Sequence, residues 1–316
     1  MATKTHTESI EFRKYELNSA FPVLVLTGKI WRLSDVRSPR LHFHNCLEIG
    51  VCEEGDAFMV LGDREVAIHE GDMTFVGSEV VHTTWSAPGT RSRWSYIMVD
   101  LGQLLSDIND LPALKGQGIF NSMQHEYSAI LPRDVHPGIY DLVRTILNEF
   151  GWKCRNFDYA VRGYFLALTV HVMNYYDHQF QTGDALVQTH QSTTSILPAL
   201  SYLRQHYAED FAIDHLAEVC AMSPSSFRRD FTKIMGTSPL NYLIQLRIHR
   251  AVELLRATNL SILDISEEVG FHSISSFNRN FYAIMQQKPS EWRKAPGAAA
   301  AWPVTVHAGW LEPEHL

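Results

Sequence analysis

The sequence contains little cysteine, no long apolar run and no excess of positive charge. Its four cysteines, Cys46, Cys52, Cys154 and Cys220, form neither a CxxC pair nor the spacing of a disulfide framework. We therefore expect a reducing compartment, with the cysteines serving as small buried side chains. No segment approaches the roughly 18 consecutive apolar residues of a membrane span, and the N-terminal segment lacks the apolar core of a secretory signal. These absences favour a soluble, cytoplasmic protein that does not bind membranes.

The net charge of the chain disfavours a general polyanion binder. It is −8 at neutral pH, whereas non-specific affinity for nucleic acids comes mainly from Lys and Arg that neutralise phosphates. The charge is unevenly distributed, because residues 191–294 hold 11 Lys and Arg against 10 Asp and Glu, a balance of +1 that leaves −9 for the rest. Any DNA binding must therefore depend on particular side chains rather than on the overall field.

The length of 316 residues is about twice that of a typical domain, so two domains are expected. Residues 1–180 are predicted to form the first domain and residues 195–294 a helical second domain. The polar residues 181–194 between them are predicted to be a linker, and the Pro- and Ala-rich residues 295–316 a tail. The predicted fold class is α+β with two domains.

The first domain is predicted to be a β-barrel of the jelly-roll type. Residues 21–100 consist of short apolar or alternating runs, separated by Gly-Asp and Glu-Gly turns, which is typical of a barrel or sandwich. Residues 101–137 are irregular, and helical periodicity predicts helices over 138–150 and 158–176. These two helices can pack either on the barrel of their own chain or on a second copy, and the second alternative predicts a homodimer.

The second domain contains the same helix-turn-helix unit twice. Phe227 and Phe231 of the first copy correspond, at an offset of 50 residues, to Phe277 and Phe281 of the second. Phenylalanines four residues apart lie on one face of a helix, so each pair predicts a buried face. The opposite face carries polar residues, which are Ser225, Arg228, Arg229 and Thr232 in the first copy and Ser275, Asn278, Arg279 and Tyr282 in the second.

These outer faces predict two recognition helices for the DNA major groove. Arg can bridge O6 and N7 of guanine, Asn can pair with adenine, and Ser suits phosphates. The amphipathic helix predicted over about 239–257 separates the copies by roughly 27 Å, which can place both recognition helices in adjacent major grooves. A helical bundle without a DNA role does not require Arg and Asn at these positions.

The helical domain resembles the AraC/XylS family of transcription regulators. The segment RIHRAVELLRATNLSILDISEEVGFHSISSFNRNF from Arg247, followed by Pro289 and Trp292, is similar to the signature of that family. The resemblance implies a double helix-turn-helix that binds double-stranded DNA and acts as an activator or a repressor of transcription. RNA polymerase and a second copy of the chain are the further partners that we expect. It places base contacts on the outer faces of both recognition helices, at Ser225, Arg228, Arg229, Ile274, Ser275, Ser276, Asn278 and Arg279.

Two residues depart from the family pattern in the second copy. Ser266 stands where the family usually has alanine. Gln286 stands where a glycine usually ends the recognition helix, as Gly236 does in the first copy. We therefore expect the second unit to be tuned differently from the first.

Three histidines and a glutamate form the candidate site of the first domain. His42, His44 and Glu48 have the same parity on one predicted strand, so their side chains emerge on one face. His82 lies two strands later and can join them, and the spacing with Gly55 and Gly71 resembles the two cupin motifs, the second with departures. Three imidazoles and a carboxylate suit a transition metal, a polar effector without metal, or core histidines that only satisfy hydrogen bonds.

Aromatic residues on neighbouring strands favour a sugar or oligosaccharide as the effector. Trp85, Trp94, Tyr96 and Met98 can offer apolar walls on which sugar rings stack, and ordinary core packing is the alternative. The predicted effector-binding residues are His42, His44, Glu48, His82, Trp94 and Tyr96. We predict no cofactor and no metal, and the first four of these residues are the ligands if a metal is bound.

The predicted function is transcription regulation by a small molecule, and no enzymatic activity is expected. A metal-dependent cupin enzyme fused to a DNA-binding domain is the alternative. A DNA-repair methyl acceptor with a similar helical half requires a zinc-bound cysteine cluster, which these four cysteines do not supply.

Overall fold

The apolar runs of the first domain form β-strands in the computed structural model, as their alternation predicts. The structure describes residues 9–15, 17–18, 21–29, 31–38, 40–61, 64–106, 123–125, 127–152, 155–182, 195–294 and 306–307. Residues 183–194 of the predicted linker lie outside the described residues. So does the predicted tail, apart from residues 306–307.

Eleven strands form two sheets in this part of the chain. The strands are β1 (Ser9–Arg13), β2 (Val23–Leu26), β3 (Arg40–His44), β4 (Leu47–Glu54), β5 (Ala57–Leu61), β6 (Arg64–Ile68), β7 (Met73–Val76), β8 (His82–Ser86), β9 (Arg93–Val99), β10 (Ser128–Leu131) and β11 (Val306–His307). One sheet has the order β1-β3-β8-β5-β6 and the other β10-β7-β4-β9-β2-β11. Buried residues of both sheets, such as Met59 and Met98, share one apolar cluster, so the sheets face each other across a common core.

The helices number ten among the described residues. They are α1 (Leu101–Leu104), α2 (Pro137–Trp152), α3 (Phe157–Thr182), α4 (Leu197–His206), α5 (His215–Val219), α6 (Pro224–Met235), α7 (Pro239–Ala257), α8 (Ile262–Glu268), α9 (Ile274–Met285) and α10 (Pro289–Lys294). None of them combines the length and the apolar character that crossing a membrane requires. The predicted α+β fold class, with an N-terminal β-domain and an all-α C-terminal part, is confirmed.

Two units divide the chain by internal packing. Unit 1 comprises residues 1–105, 112–192 and 299–316, and unit 2 comprises residues 106–111 and 193–298. Helix α2 packs within unit 1, where Phe150 lies beside Phe21 at a ring-centroid distance of 6.2 Å. Arg144 of the same helix donates to Glu53 Oε1 of β4 at 2.5 Å. Of the two alternatives for this helix, packing within the chain is therefore what the structure has.

Unit 2 contains the repeated helix-turn-helix. The first copy is α5, a turn and α6, the second is α8, a turn and α9, and α7 connects them. Phe227 and Phe231 of α6 are buried, as are Phe277 and Phe281 of α9, with ring centroids 5.5 and 5.6 Å apart. The 3.6-residue period of the sequence thus predicted the buried faces of both helices correctly.

Serine side chains begin both recognition helices. Ser223 Oγ accepts a hydrogen bond from the Ser226 amide, and Ser273 Oγ accepts one from the Ser276 amide. Each bond satisfies one of the amides that a helix leaves unpaired at its N-terminus. Ser273 therefore caps α9 as Ser223 caps α6.

The C-terminal ends of the recognition helices differ in one residue. Gln286 ends α9 in the left-handed conformation, with φ 57°, where Gly236 ends α6 with φ 67°. A residue with a side chain in this region costs about 1–2 kcal/mol. Here the side-chain amide of Gln286 offsets part of that cost, because its Nε2 donates to Ala283 O at 2.9 Å.

Replacing Gln286 by glycine is therefore expected to stabilise unit 2 by about 0.5–1 kcal/mol. The free energy of unfolding in urea measures this change. Gly236→Gln is the matched control, because a Cβ at Gly236 meets no atom within 4 Å and the loss, about 1 kcal/mol, comes from the backbone alone. A glycine at position 286 that lowers stability would contradict this account of the helix end.

Candidate effector site and DNA-binding surface

Three strands bring the predicted histidines and the glutamate together between the sheets. His42 and His44 lie on β3, Glu48 on β4 and His82 on β8, where the register pairs His42 with His82. All four side chains are buried, with exposed fractions between 1% and 7%. The expectation that His42, His44 and Glu48 lie on one strand is wrong, because the chain bends at Asn45 and Cys46 and Glu48 lies on a strand of the other sheet. Parity accounts for His42 and His44, and strand pairing adds His82.

The four side chains contact one another closely. Nε2 of His44 lies 3.3 Å from Glu48 Oε2, and Nε2 of His82 lies 3.6 Å from Glu48 Oε1. The rings of His42 and His82 have centroids 4.2 Å apart. One ligand atom each from His42, Glu48 and His82 can be chosen so that all three lie within 4.8 Å of one another. We call these four side chains the histidine cluster.

Backbone carbonyls determine which nitrogen of two rings carries a proton. Nδ1 of His44 lies 2.8 Å from Cys46 O, and Nδ1 of His82 lies 2.9 Å from Val80 O. Because a carbonyl oxygen can only accept, both Nδ1 atoms donate. Each Nε2 therefore faces the carboxylate of Glu48, to which it donates where the ring is protonated and presents a lone pair where the ring is neutral.

Burial shapes the charges of the histidine cluster. It lowers the pKa of His42 well below the ordinary value, assisted by the nearby His82, and it also lowers the pKa of His44. Burial alone would raise the pKa of Glu48, but its interactions with His44 and His82 outweigh burial and hold that pKa well below its usual range. An ionised carboxylate that faces lone pairs needs a positive group or hydrogen-bond donors between them.

Three ring nitrogens of the cluster have no hydrogen-bond partner among the described residues. They are Nδ1 of His42, Nε2 of His44 and Nε2 of His82. A core histidine normally has its buried nitrogens paired, so these atoms disfavour a purely structural role. They could hold a ligand with several donors, or a metal ion.

Two of the predicted aromatic residues lie on the same interior face as Glu48. On the paired strands β4 and β9, Glu48 is opposite Met98, Gly50 is opposite Tyr96 and Cys52 is opposite Trp94. The rings of Trp94 and Tyr96 stack, with centroids 5.5 Å apart and an angle of 7° between their planes. This interior face is therefore polar near Glu48 and aromatic near Tyr96 and Trp94.

Trp85 does not belong to this interior wall. It alternates with His82 along β8, so its side chain lies on the opposite face of the sheet. There it stacks on Phe58 and lies under the guanidinium of Arg37, 5.2 Å from the ring centroid. The expectation that Trp85 lines the same wall as Trp94 is wrong, because one step along a strand reverses the face.

Tyr15 is a further neighbour of the cluster that the sequence did not single out. Its ring meets that of His44 edge-on at 5.9 Å, and its backbone is fixed by two hydrogen bonds with the side chain of Asn45. Burial and the nearby Glu48 carboxylate raise the pKa of Tyr15. No periodic pattern marks this residue, because it lies outside a strand.

The predicted DNA-binding residues lie on the outer faces of α6 and α9. The exposed ones are Ser225, Arg228, Arg229, Ser275, Asn278 and Arg279. Ser276 is half-buried instead. Its amide donates to Ser273 Oγ and its carbonyl accepts from the side chain of Asn280. The structure thus presents two arginines on the first helix and an arginine with an asparagine on the second.

Arg228 has a partner that the sequence analysis did not identify. Its Nη2 lies 2.5 Å from Oδ1 of Asp214, next to α5 of the same copy, and both side chains are more than half exposed. In the second copy, Asn278 takes the place of Arg228. The first recognition helix thus has an ion-paired arginine, Arg228, where the second has the uncharged side chain of Asn278.

Comparison with known proteins identifies both units. Residues 23–147 match the AraC-like ligand-binding domain, and residues 216–295 match a helix-turn-helix domain. The chain is 23% identical to the uncharacterised HTH-type transcriptional regulator YdeC of Bacillus subtilis over 266 residues, which cover 80% of this chain and 86% of that protein. The chain thus combines the ligand-binding domain of AraC-type regulators with a helix-turn-helix domain, and its relatives are transcription regulators.

Other relatives match the helix-turn-helix half of the chain. It is 33% identical over 96 residues to the HTH-type regulator AlkR of Acinetobacter baylyi, covering 30% of this chain and 31% of AlkR. The DNA-binding domain of AdpA, solved in complex with a target DNA, matches with 26% identity and a TM-score of 0.32, covering 33% of this chain and 93% of that domain.

The two matched regions contain both candidate sites. The ligand-binding match includes the histidine cluster, Trp94 and Tyr96. The helix-turn-helix match includes the recognition helices α6 and α9. The predicted family, a DNA-binding regulator with a ligand-binding domain, is confirmed.

Proposed function

We propose that the effector of this regulator binds at the histidine cluster and alters how the chain binds an operator. The observation that carries the proposal is the set of three buried ring nitrogens that lack partners around the ionised Glu48. Leaving such groups unpaired costs stability, so a ligand that pairs them binds with a corresponding gain. Coupling to DNA requires that the effector have different affinities for two states of the protein.

The proposed operator contacts are those of the exposed residues on α6 and α9. Arg229 and Arg279 donate to the major-groove edge of guanine, and Asn278 pairs with adenine. Asp214 orients Arg228 for a further contact with guanine. Ser225, Ser275 and Ser276 contact phosphates near the helix N-termini. The protein binds DNA as a homodimer and contacts RNA polymerase as a further partner. It acts in the cytoplasm as an activator, without enzymatic activity.

A sugar or oligosaccharide is the effector class that we favour. The stacked rings of Trp94 and Tyr96 lie on the interior face that also carries Glu48. Sugars present C–H faces that stack on aromatic rings and hydroxyl groups that donate to imidazole nitrogens and carboxylates. Both requirements meet along one row of interior residues.

A divalent transition-metal ion is a second candidate, favoured by the distances in the cluster. Two ligand atoms at about 2.1 Å from a tetrahedral ion are roughly 3.4 Å apart. The 3.3 and 3.6 Å separations from Glu48 to His44 and His82 match that value, and the carbonyl partners of Nδ1 orient Nε2 as a metal-ligating imidazole needs. Stoichiometric metal in the purified protein would favour the ion, and iron or manganese would favour the enzyme alternative.

Replacing His44 by alanine or Glu48 by glutamine is expected to abolish the effector response. Both changes remove a group that faces the ligand, whereas the recognition helices are unchanged. Binding to the upstream DNA of its own and neighbouring genes, measured by gel shift with and without a panel of sugars, checks the response. Loss of folding in both variants would favour the alternative of core histidines, and an unchanged response would reject the site.

A further inference from the structure

Two hydroxyl groups lie on the interior face beside the histidine cluster. The register places Thr74 of β7 opposite Gly50 of β4, which is itself opposite Tyr96 of β9. Side chains at paired positions emerge on the same face of a sheet. Because Tyr96 belongs to the apolar cluster between the sheets, Thr74 also faces that interior.

Ser128 faces the interior by the same reasoning. It is opposite Val76, and Val76 is opposite Glu48. One row of interior positions therefore runs from Ser128 through Val76 to Glu48. The adjacent row runs from Thr74 through Gly50 to Tyr96.

Neither hydroxyl has a hydrogen-bond partner in the described part of the chain. Thr74 Oγ1 and Ser128 Oγ are both buried, and the exposed fractions of the two residues are 0% and 2%. A buried hydroxyl without a partner destabilises the folded state. Valine and alanine fit the same positions without that cost, so the hydroxyls indicate a ligand rather than packing.

Gly50 directs the Thr74 hydroxyl along the sheet. A Cβ at Gly50 would overlap Thr74 Oγ1 and would lie 3.0 Å from Tyr96 Cε1. The hydroxyl therefore extends over the backbone of β4, which also carries Glu48 two residues earlier. The missing side chain at position 50 thus leaves room for the Thr74 hydroxyl beside the ring of Tyr96.

We propose that Thr74 and Ser128 belong to the effector site and bind hydroxyl groups of a polyhydroxylated ligand whose other groups donate to the histidine cluster. This inference rests on the proposed effector function. Diagonal neighbours on adjacent strands are roughly 7–8 Å apart, and positions two strands apart are about 10 Å apart, spacings that one sugar ring with its hydroxyls can bridge. A bare cation would use the cluster but leave both hydroxyls unpaired.

Urea unfolding of the ligand-free protein tests whether the hydroxyls of Thr74 and Ser128 lack hydrogen-bond partners within the protein. Thr74→Val keeps the shape of the side chain and removes the hydroxyl, so its urea midpoint is expected to equal or exceed that of the wild type. A lower midpoint would show that Thr74 forms a structural hydrogen bond, which overturns the inference. Ser128→Ala is measured in the same way.

Thermal shift with aldopentoses, aldohexoses and disaccharides, and with Zn²⁺ alone, tests the ligand. At least one sugar is expected to raise the Tm of the wild type, with an apparent affinity at least tenfold weaker in Thr74→Val and Ser128→Ala. Thr83→Val is the matched control, because Thr83 is buried on the opposite face of β8 from His82. It should retain the full shift.

The remaining outcomes separate the inference from the proposed function. A sugar that stabilises both hydroxyl variants as well as the wild type, but not His44→Ala, overturns the role of Thr74 and Ser128 and leaves the effector site in place. A sugar that stabilises His44→Ala equally overturns the site itself. A protein stabilised by no sugar overturns the polyhydroxylated ligand, and stabilisation by Zn²⁺ alone would then favour the metal.

Discussion

Replacing Gly270 by alanine is expected to destabilise unit 2 by about 3 kcal/mol. Gly270 follows α8 with φ +86°, and a Cβ there would lie 2.6 Å from Ala208 O and 2.9 Å from Ala208 Cα. The left-handed backbone contributes about 1–2 kcal/mol and the collision with backbone atoms about 1–3 kcal/mol. Since small proteins are stable by only about 5–15 kcal/mol, this is a large fraction of the total.

The first copy provides the matched control at Ala221. This residue occupies the corresponding place after α5, with φ 52°, and its amide donates to Glu218 O just as the Gly270 amide donates to Glu267 O. Ala221→Gly is expected to change stability little or to raise it by up to about 1 kcal/mol. Denaturant unfolding of the full chain measures both variants, and a Gly270→Ala protein as stable as the wild type would show that the second turn is not restricted as described.

Replacing Arg229 or Arg279 by alanine is expected to weaken specific DNA binding about 5- to 150-fold each. That range corresponds to about 1–3 kcal/mol for one bidentate contact with guanine. Arg229 is 72% exposed in its side chain on α6, and Arg279 is exposed on α9, so neither change removes buried packing. Selection from a random-sequence duplex library yields the preferred operator, and titration of that duplex gives the affinities of the wild type and the variants.

Two further variants separate base contacts from charge. Arg279→Lys keeps the charge and loses the bidentate geometry, so it is expected to lose most of the specific affinity. Arg91→Ala removes an exposed charge from unit 1. It should leave the specific affinity within about twofold, because salt screens the attraction between DNA and a charge that does not contact it. Equal losses for Arg91→Ala and Arg279→Ala would reject base recognition by α9.

The recognition helices could be predicted from sequence because their signals are local. Phenylalanines four residues apart define the buried face of each helix, and the residues between them must then be exposed. The pairing of Arg228 with Asp214 could not be predicted in the same way. It depends on how α6 crosses the start of α5, which the periodicity of neither helix specifies.

The β-domain shows how far strand parity reaches. Parity correctly placed His42 and His44 on one face of β3, because alternation holds along a strand. It did not place Glu48, which lies on β4 of the other sheet and meets the histidines across the interior. It could not supply Ser128, because β10 falls in residues that the sequence analysis interpreted as irregular and pairs with β7 some 50 residues earlier. Long-range register, rather than local pattern, decides which hydroxyls face the interior.

Footprinting of this regulator on a selected operator tests the central claim most directly. If α6 and α9 each enter a major groove, hydroxyl-radical and base-specific footprints should show two contacted segments about 10–10.5 base pairs apart. Arg229→Ala should lose one segment and Arg279→Ala the other. A single contacted segment, or loss of the same segment in both variants, would contradict recognition by two helices.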